Sequence, residues 1–354
     1  MKVLRSPAGA YALLGGLLLL LAALDLFLGS AAIPPGEVWR LLLGQGAAGQ
    51  PPVWATIVYE LRLPKVLVAM LAGSSLAVAG LLLQTLFRNP LAGPDVLGIS
   101  SGASLGVALV VLWLGSGEKG SLAGLGLLGD VAVVSAASAG ALAALAVILW
   151  ASRRMGNLTL LVLGLLMGYA TGALTTILLH MSLAERVQAY VLWTFGSFGG
   201  VTWSDLRILA PLLLVTLAGA LLLGKPLNSL ALGEAFARSV GVEVARLRRW
   251  LLLASALLAG AVTAFCGPIA FLGIAVPHLC RLWLRSADHR LLLPASALAG
   301  AVAALLADLL TQLPPGAEVL PLSAVTSLLG APLIAWLLLR RPAEMGGLRA
   351  DSQK

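Results

Sequence analysis

The chain has 354 residues, 60% of them apolar and only 11% charged, with a mean hydropathy of +0.99. That composition excludes a soluble domain and describes an integral membrane protein. The net charge of +8 reports membrane topology rather than affinity for nucleic acid, because its cations divide unequally between the two faces.

A spanning helix needs roughly 20 apolar residues. On that rule the sequence predicts spans near 9–29, 61–83, 96–114, 128–150, 158–180, 205–224, 248–266, 269–285, 291–312 and 319–339. Ten spans put both termini on one side. Lys2 and Arg5 precede the first and Gly29-Ser30-Ala31-Ala32 ends it. Its apolar run exceeds a signal peptide's, so an uncleaved span is expected. No hydrophilic stretch is long enough to fold alone, so residues 1–354 form a single polytopic domain. With the N-terminus inside, seventeen of the 23 Lys and Arg fall inside and six (Arg40, Arg62, Lys65, Lys119, Arg186 and Arg207) fall outside. The positive-inside rule then predicts a multi-pass protein of the cell membrane with N- and C-termini in the cytoplasm.

Around the second span, Arg62 and Lys65 head the helix on the outside, against the charge trend. Two cations there suit an acidic partner or an anionic substrate, or simply a solvated helix start. Asp25 lies at the outer interface and is expected to snorkel. The faces around Gly73 and Gly80 permit close backbone approach. Residues 84–95 are too polar to span, and Pro90 and Pro94 rule out a regular helix. Gly98-Ile99-Ser100-Ser101-Gly102 matches a nucleophile pattern, but it opens a membrane helix with no strand before it. The irregular regions after Leu71–Leu83 and after Leu252–Ala264 follow spans of opposite direction. That suggests an inverted repeat, with halves at about 1–180 and 205–341 and a path between them.

Gly219 to Pro226 resembles a phosphate-binding loop through Lys225 and then fails, because Pro226 replaces the Ser/Thr that would hold magnesium. A nucleotide that drives this chain must therefore be held by a separate subunit. From Lys225 to Arg249 runs the one long polar island, whose pattern suggests two short helices: one over Asn228–Val240, with Gly241 as a stop, before Val242 enters the next span. A structured island on the cytoplasmic side is a docking element. The 38 residues of 248–285 would make a single helix of about 57 Å, nearly twice the ~30 Å hydrocarbon core. Gly267-Pro268 and Pro277 supply the breaks. Cys266 and Cys280 are expected as buried unpaired thiols. His180, His278 and His289 share no metal-ligand spacing, and no catalytic or metal site is expected. Asp308, in the outer half of the ninth span, is either a buried polar contact or a substrate contact.

Several of these segments together resemble the permease subunits of type II ABC importers for siderophore-iron, haem and cobalamin, the FecCD family. They are 61–106, 195–200 (Phe-Gly-Ser-Phe-Gly-Gly), 232–241, 266–278, 288–294, Ala307-Asp308 and 326–332, in family order over about 270 residues. The resemblance implies an all-α permease fold of ten helices, which pairs with a second copy or a paralogue. Two ATPase subunits carrying ATP and Mg, and an extracytoplasmic binding protein, complete the assembly. It also implies that Leu232, Gly233, Glu234, Ala237, Arg238, Val240 and Gly241, within coupling helices of about 226–247, engage the ATPases. Arg62 and Lys65, with Arg186, would meet the binding protein, and Lys65 lacks the guanidinium fork the family usually has. Thr311-Gln312 stands where a further outer cation is usual. Asn157 and Thr159 belong to a cytoplasmic gate. Thr171, Thr175 and Thr176 would line the path beside Ser323, Thr326 and Ser327. The expected cargo is a bulky metal chelate, iron-siderophore first, then haem or cobalamin. The rival readings are an ion-coupled carrier, which would lean on Asp308, and an intramembrane hydrolase built on Ser100 with His180 or His278.

Overall fold

The computed structural model describes residues 7–29, 31, 33–44, 52–113, 127–312 and 319–340. Lys2, Arg5, Lys119, Arg341, Arg349 and Lys354, counted in the charge division, lie outside them, as do Ser30 and Ala32. In chain order the helices are α1 (Pro7–Phe27), α2 (Pro35–Leu42), α3 (Pro52–Thr56) and α4 (Leu63–Phe87), the last two joined by a π-helical stretch, Ile57–Arg62. A 3-10 turn, Pro94–Leu97, leads into α5 (Ile99–Ala108), followed by α6 (Leu127–Ala151), α7 (Asn157–His180) and α8 (Ala184–Thr194). The second half holds α9 (Trp203–Leu222), α10 (Gly224–Leu232), α11 (Glu234–Ser239) and α12 (Val244–Cys266). It ends with α13 (Leu272–Leu284), α14 (His289–Thr311) and α15 (Leu322–Arg340).

Among the described residues, seven helices are long and apolar enough to cross a membrane, and three shorter apolar ones, Ile99–Leu112, Leu272–Leu284 and Leu322–Trp336, bring the number to the ten expected. Two helices were not foreseen. α2 is an amphipathic cap that buries Val38 and Leu41 with Ile33 and Val58 and leaves Trp39 exposed. α8 lies between the predicted spans 158–180 and 205–224, where the sequence suggested no helix. Both are too short for a hydropathy window to register.

Helix α4 is the centre of the bundle, packed against α1, α9, α12, α13 and α14. Lipid tails are as apolar as Leu, so helices associate here through close packing and hydrogen bonds, and small residues set how close they come. Gly73 of α4 faces the Gly300 carbonyl of α14, and Gly80 faces that of Gly273 in α13. Ser74 Oγ donates to the Ala297 carbonyl at 2.8 Å across the first of these seams. Gly102 and Gly140 bring α5 and α6 together in the same way.

The stretch 248–285 is interrupted once, from Gly267-Pro268 after α12 to Phe271, whose φ of 66° precedes α13. Pro277 sits inside α13 without breaking it. The Ser197 amide donates to the Cys266 carbonyl at 2.8 Å, and the Ser323 amide to that of Phe195 at 2.9 Å. The 195–200 turn thereby fastens the broken segment to the start of α15. Both cysteines are free and buried, as expected.

Candidate functional site

The polar island holds two short helices, as expected, but they meet at Gly233 and not at Gly241. Gly233, at φ 133° and ψ 148°, ends α10 and starts α11. That backbone region belongs almost solely to glycine. The expected continuous helix over Asn228–Val240 is corrected accordingly. The bend between the short helices is Gly233, and Gly241, at φ 85°, instead separates α11 from α12. Ala237 is fully buried beneath α11, whereas Leu232 (71% exposed), Phe236 and Val240 project from the chain. Exposed apolar side chains on both sides of the Gly233 bend are the kind of surface a partner covers. Arg238 is exposed beside it. Phe236, 45% exposed, is an apolar residue of this surface that sequence reasoning left out.

Glu234 ties this surface to the rest of the membrane domain. Its Oε2 accepts from Arg238 at 3.2 Å, and its Oε1 accepts from Arg248 of α12 at 3.2 Å and from Asn157 Nδ2 at 3.4 Å. Asn157, the first residue of α7, also donates to the Leu86 carbonyl near the end of α4 at 2.9 Å. Arg248 reaches the Met155 carbonyl at 3.2 Å, and Arg88 reaches the Leu230 carbonyl at 3.3 Å. One carboxylate therefore joins α11, the 155–157 turn and the start of α12. Of the two residues assigned to the gate, Asn157 lies in this knot and Thr159 is exposed beside it.

A second link runs through Asn228 of α10. Its Nδ2 donates to Asp288 at 2.6 Å, and its Oδ1 meets both the amide and Nδ1 of His289 at 2.8 Å. His289 Nε2 lies 2.7 Å from Thr85 Oγ1 of α4. Hydrogen bonds from Asn228 and from the Arg290 amide hold the Asp288 carboxyl below the usual carboxylate range. His289 had no assigned role in the sequence; only its spatial partners reveal it as a strut.

The outer cations correct an expectation. Arg62 is 5% exposed and closes the C-terminal end of α1, donating to the carbonyls of Leu26 (2.9 Å), Phe27 (3.1 Å) and Ala31 (2.6 Å). A guanidinium suits carbonyls that have no partner within the helix. Lys65 bridges Asp25 and Asp308, 2.8 Å from each. Gln312 donates to the same two carboxylates at 3.0 and 2.8 Å. Asp25 does not snorkel but is fully buried. Arg62 and Lys65 are thus structural cations joining α1, α4 and α14, not an exposed rim pair, and Arg186 at the start of α8 is half-buried. Asp308 takes the bland one of its two readings. Removing one partner of a buried pair leaves an uncompensated charge, at a cost of about 3–5 kcal/mol. Lys65→Met should therefore lower the thermal midpoint of the detergent-solubilised protein sharply. Adding Asp25→Asn and Asp308→Asn should recover most of that loss; no recovery would show that the charges are not the cause.

The path residues divide. Thr175 and Thr326 are buried, the former hydrogen-bonded to Tyr190, which removes both from any open surface. Thr176 is exposed, and Thr171, Ser323 and Ser327 are half-buried. Thr171 and Thr176 turn their hydroxyls back to carbonyls of their own helix, and the exposed face of α7 is mainly apolar, with Leu165, Leu166, Tyr169, Leu174 and Ile177. Ser100 Oγ is engaged by Asp95 at 3.0 Å and Thr263 at 3.3 Å, not by a histidine, and the Gly219–Pro226 segment is helical apart from Leu223.

This arrangement, an all-helical membrane bundle whose Glu234 joins the island helices to the starts of α7 and α12, is that of a transporter permease, and its likeness to known proteins places it among the permeases of ATP-driven importers. The model of the FecCD transport family matches residues 17–340, and the chain belongs to that family. It is a permease subunit of the type II ABC importer class and not an enzyme. The chain is 40% identical over 325 residues to the vitamin B12 import system permease protein BtuC of Klebsiella pneumoniae, covering 92% of this chain and 91% of that protein. The BtuC protein of Vibrio cholerae is 38% identical over 330 residues, covering 93% of each. A solved structure described as a metal-chelate type ABC transporter in an inward-facing conformation superposes with a TM-score of 0.80 and 29% identity, covering 95% of this chain and all of that one.

Proposed function

We propose that this chain is the membrane-spanning permease of a cobalamin importer. The observation that carries the substrate is the 38–40% identity, over nine-tenths of the chain, to proteins named as vitamin B12 import permeases. It moves cobalamin ahead of the iron-siderophore that the sequence resemblance alone put first.

In this reading the Leu232–Gly241 segment docks on a separate ATPase that holds ATP and Mg. A second permease copy covers the exposed side of α7, where Leu158, Tyr169 and Met181 are 69–79% exposed. A binding protein delivers cobalamin to the other face. Its contacts involve exposed groups such as Trp39 and Arg40 rather than the buried Arg62. Closure of the ATPases pulls the docking segment, and Glu234 transmits the movement to Asn157.

The test is reconstitution of the full complex in vesicles, with uptake of labelled cyanocobalamin and of a ferric hydroxamate siderophore measured side by side. ATP-dependent accumulation of cobalamin alone is expected; accumulation of the siderophore alone would overturn the assignment. Orientation is tested separately. Single cysteines at Ala231, Ala235 or Ser239 should react only from the cytoplasmic side, and those at Gln188 or Ala189 only from outside. The reverse pattern would sink both the orientation and the docking role. All five positions are exposed, and the native thiols are buried.

A further inference from the structure

A cavity of about 320 Å³ lies between the end of α6 and the start of α12, lined by Leu149, Arg153, Arg246, Arg249, Trp250 and Leu253. We propose that it binds the phosphate headgroup of an anionic membrane lipid. The proposal is independent of which substrate the permease carries.

The sequence of α12 builds the site by helical spacing. Residues 246, 249, 250 and 253 recur at i, i+3, i+4 and i+7 and share one face. Arg248 points elsewhere, into the Glu234 knot, and its bond to the Met155 carbonyl brings the turn bearing Arg153 beside that face. Three guanidiniums therefore converge on one small space. Among the described residues, Arg153 and Arg249 take part in no ion pair. Arg246 pairs only with Glu243, at 3.3 Å with both side chains more than half exposed, a contact that contributes little. The excess positive charge calls for an anion, and guanidinium forks match phosphate oxygens.

The other half of the lining decides between a lipid and a soluble phosphate. Leu149, Leu253 and Trp250 give the cavity an apolar wall, and Trp250 is 56% exposed. Trp150, 58% exposed, stands next to Leu149 with the Arg154 guanidinium 5.6 Å from its ring centroid. Exposed Leu142, two turns before Leu149 on the same face, extends this surface along α6, a strip an acyl chain would cover. Tryptophan belongs at the headgroup level of a bilayer, and basic pockets between spanning helices take anionic headgroups. A free phosphate would leave that apolar wall without a purpose.

The experiment is native mass spectrometry of the full-length chain in detergent. It is titrated with phosphatidylglycerol and, separately, with phosphatidylcholine of the same acyl chains. The wild type should retain one phosphatidylglycerol in preference to phosphatidylcholine. R153Q, R246Q and R249Q should each weaken retention roughly fivefold, and together abolish the preference. These side chains are exposed, so the fold should survive; R207Q, at an exposed cation of α9, is the matched control and should change nothing. Equal retention of both lipids, or a triple variant that keeps phosphatidylglycerol like the wild type, would overturn the proposal. Displacement of the lipid by inorganic phosphate would assign the cavity to a soluble anion and overturn it as well.

Discussion

Gly80→Leu should abolish recovery of folded protein, whereas Gly219→Leu should leave it close to wild type. A Cβ at Gly80 would collide with the Gly273 carbonyl, and one at Gly219 meets nothing within 4 Å. The obstacle at Gly80 is backbone on a neighbouring helix, so no rotamer change relieves it. Overpacking a tight core typically costs about 1–3 kcal/mol and occasionally more. Here α4 must move away from α13, and α4 also carries the Gly73–Gly300 seam, so the upper end of that range or beyond is expected. Size-exclusion of a fluorescent fusion gives the readout. A sharp monodisperse peak for Gly80→Leu would show that the seam is not what sets the α4–α13 spacing.

Glu234→Arg should leave the protein folded and inserted but cut uptake by about tenfold or more, within the 5–150-fold usual for coupling between sites. The substitution replaces the one anion of the knot by a fourth cation beside Arg88, Arg238 and Arg248. The Arg238 link is an exposed pair of small worth, whereas the Arg248 side chain is only 17% exposed, so a modest fall in thermal stability should accompany a much larger loss of transport. ATP hydrolysis by the assembled complex should persist, no longer tied to uptake. Glu234→Gln, which keeps an acceptor for Asn157 and Arg248, should be milder. Arg248→Glu in the Glu234→Arg background should restore part of the uptake. Normal uptake by Glu234→Arg would remove Glu234 from the route between docking segment and gate turn.

The sequence by itself determined what depends on composition and local spacing. Ten apolar runs of the right length became ten helices, because a bilayer forces each run to satisfy its backbone within itself. The failed phosphate loop at Gly219–Pro226, the break at Gly267-Pro268 and the polar island were equally visible, since proline, glycine and charge act where they stand. What the sequence could not show depended on distant neighbours. Arg62 and Lys65 look like outer docking cations until α1 lays its C-terminal carbonyls over one and α14 brings Asp308 to the other. Asp25 and Asp308 lie 40 and 243 residues from Lys65, and no periodicity links them. Gly233 and Gly241 are both island glycines; the backbone path, not the residue type, decided which one bends between the short helices. Glu234 was legible as part of a docking segment, but its bond to Asn157 exists only because α7 begins beside α12. Burial and partnership are properties of the packed bundle, and they turned apparent surface charges into struts and one glutamate of the docking segment into a junction.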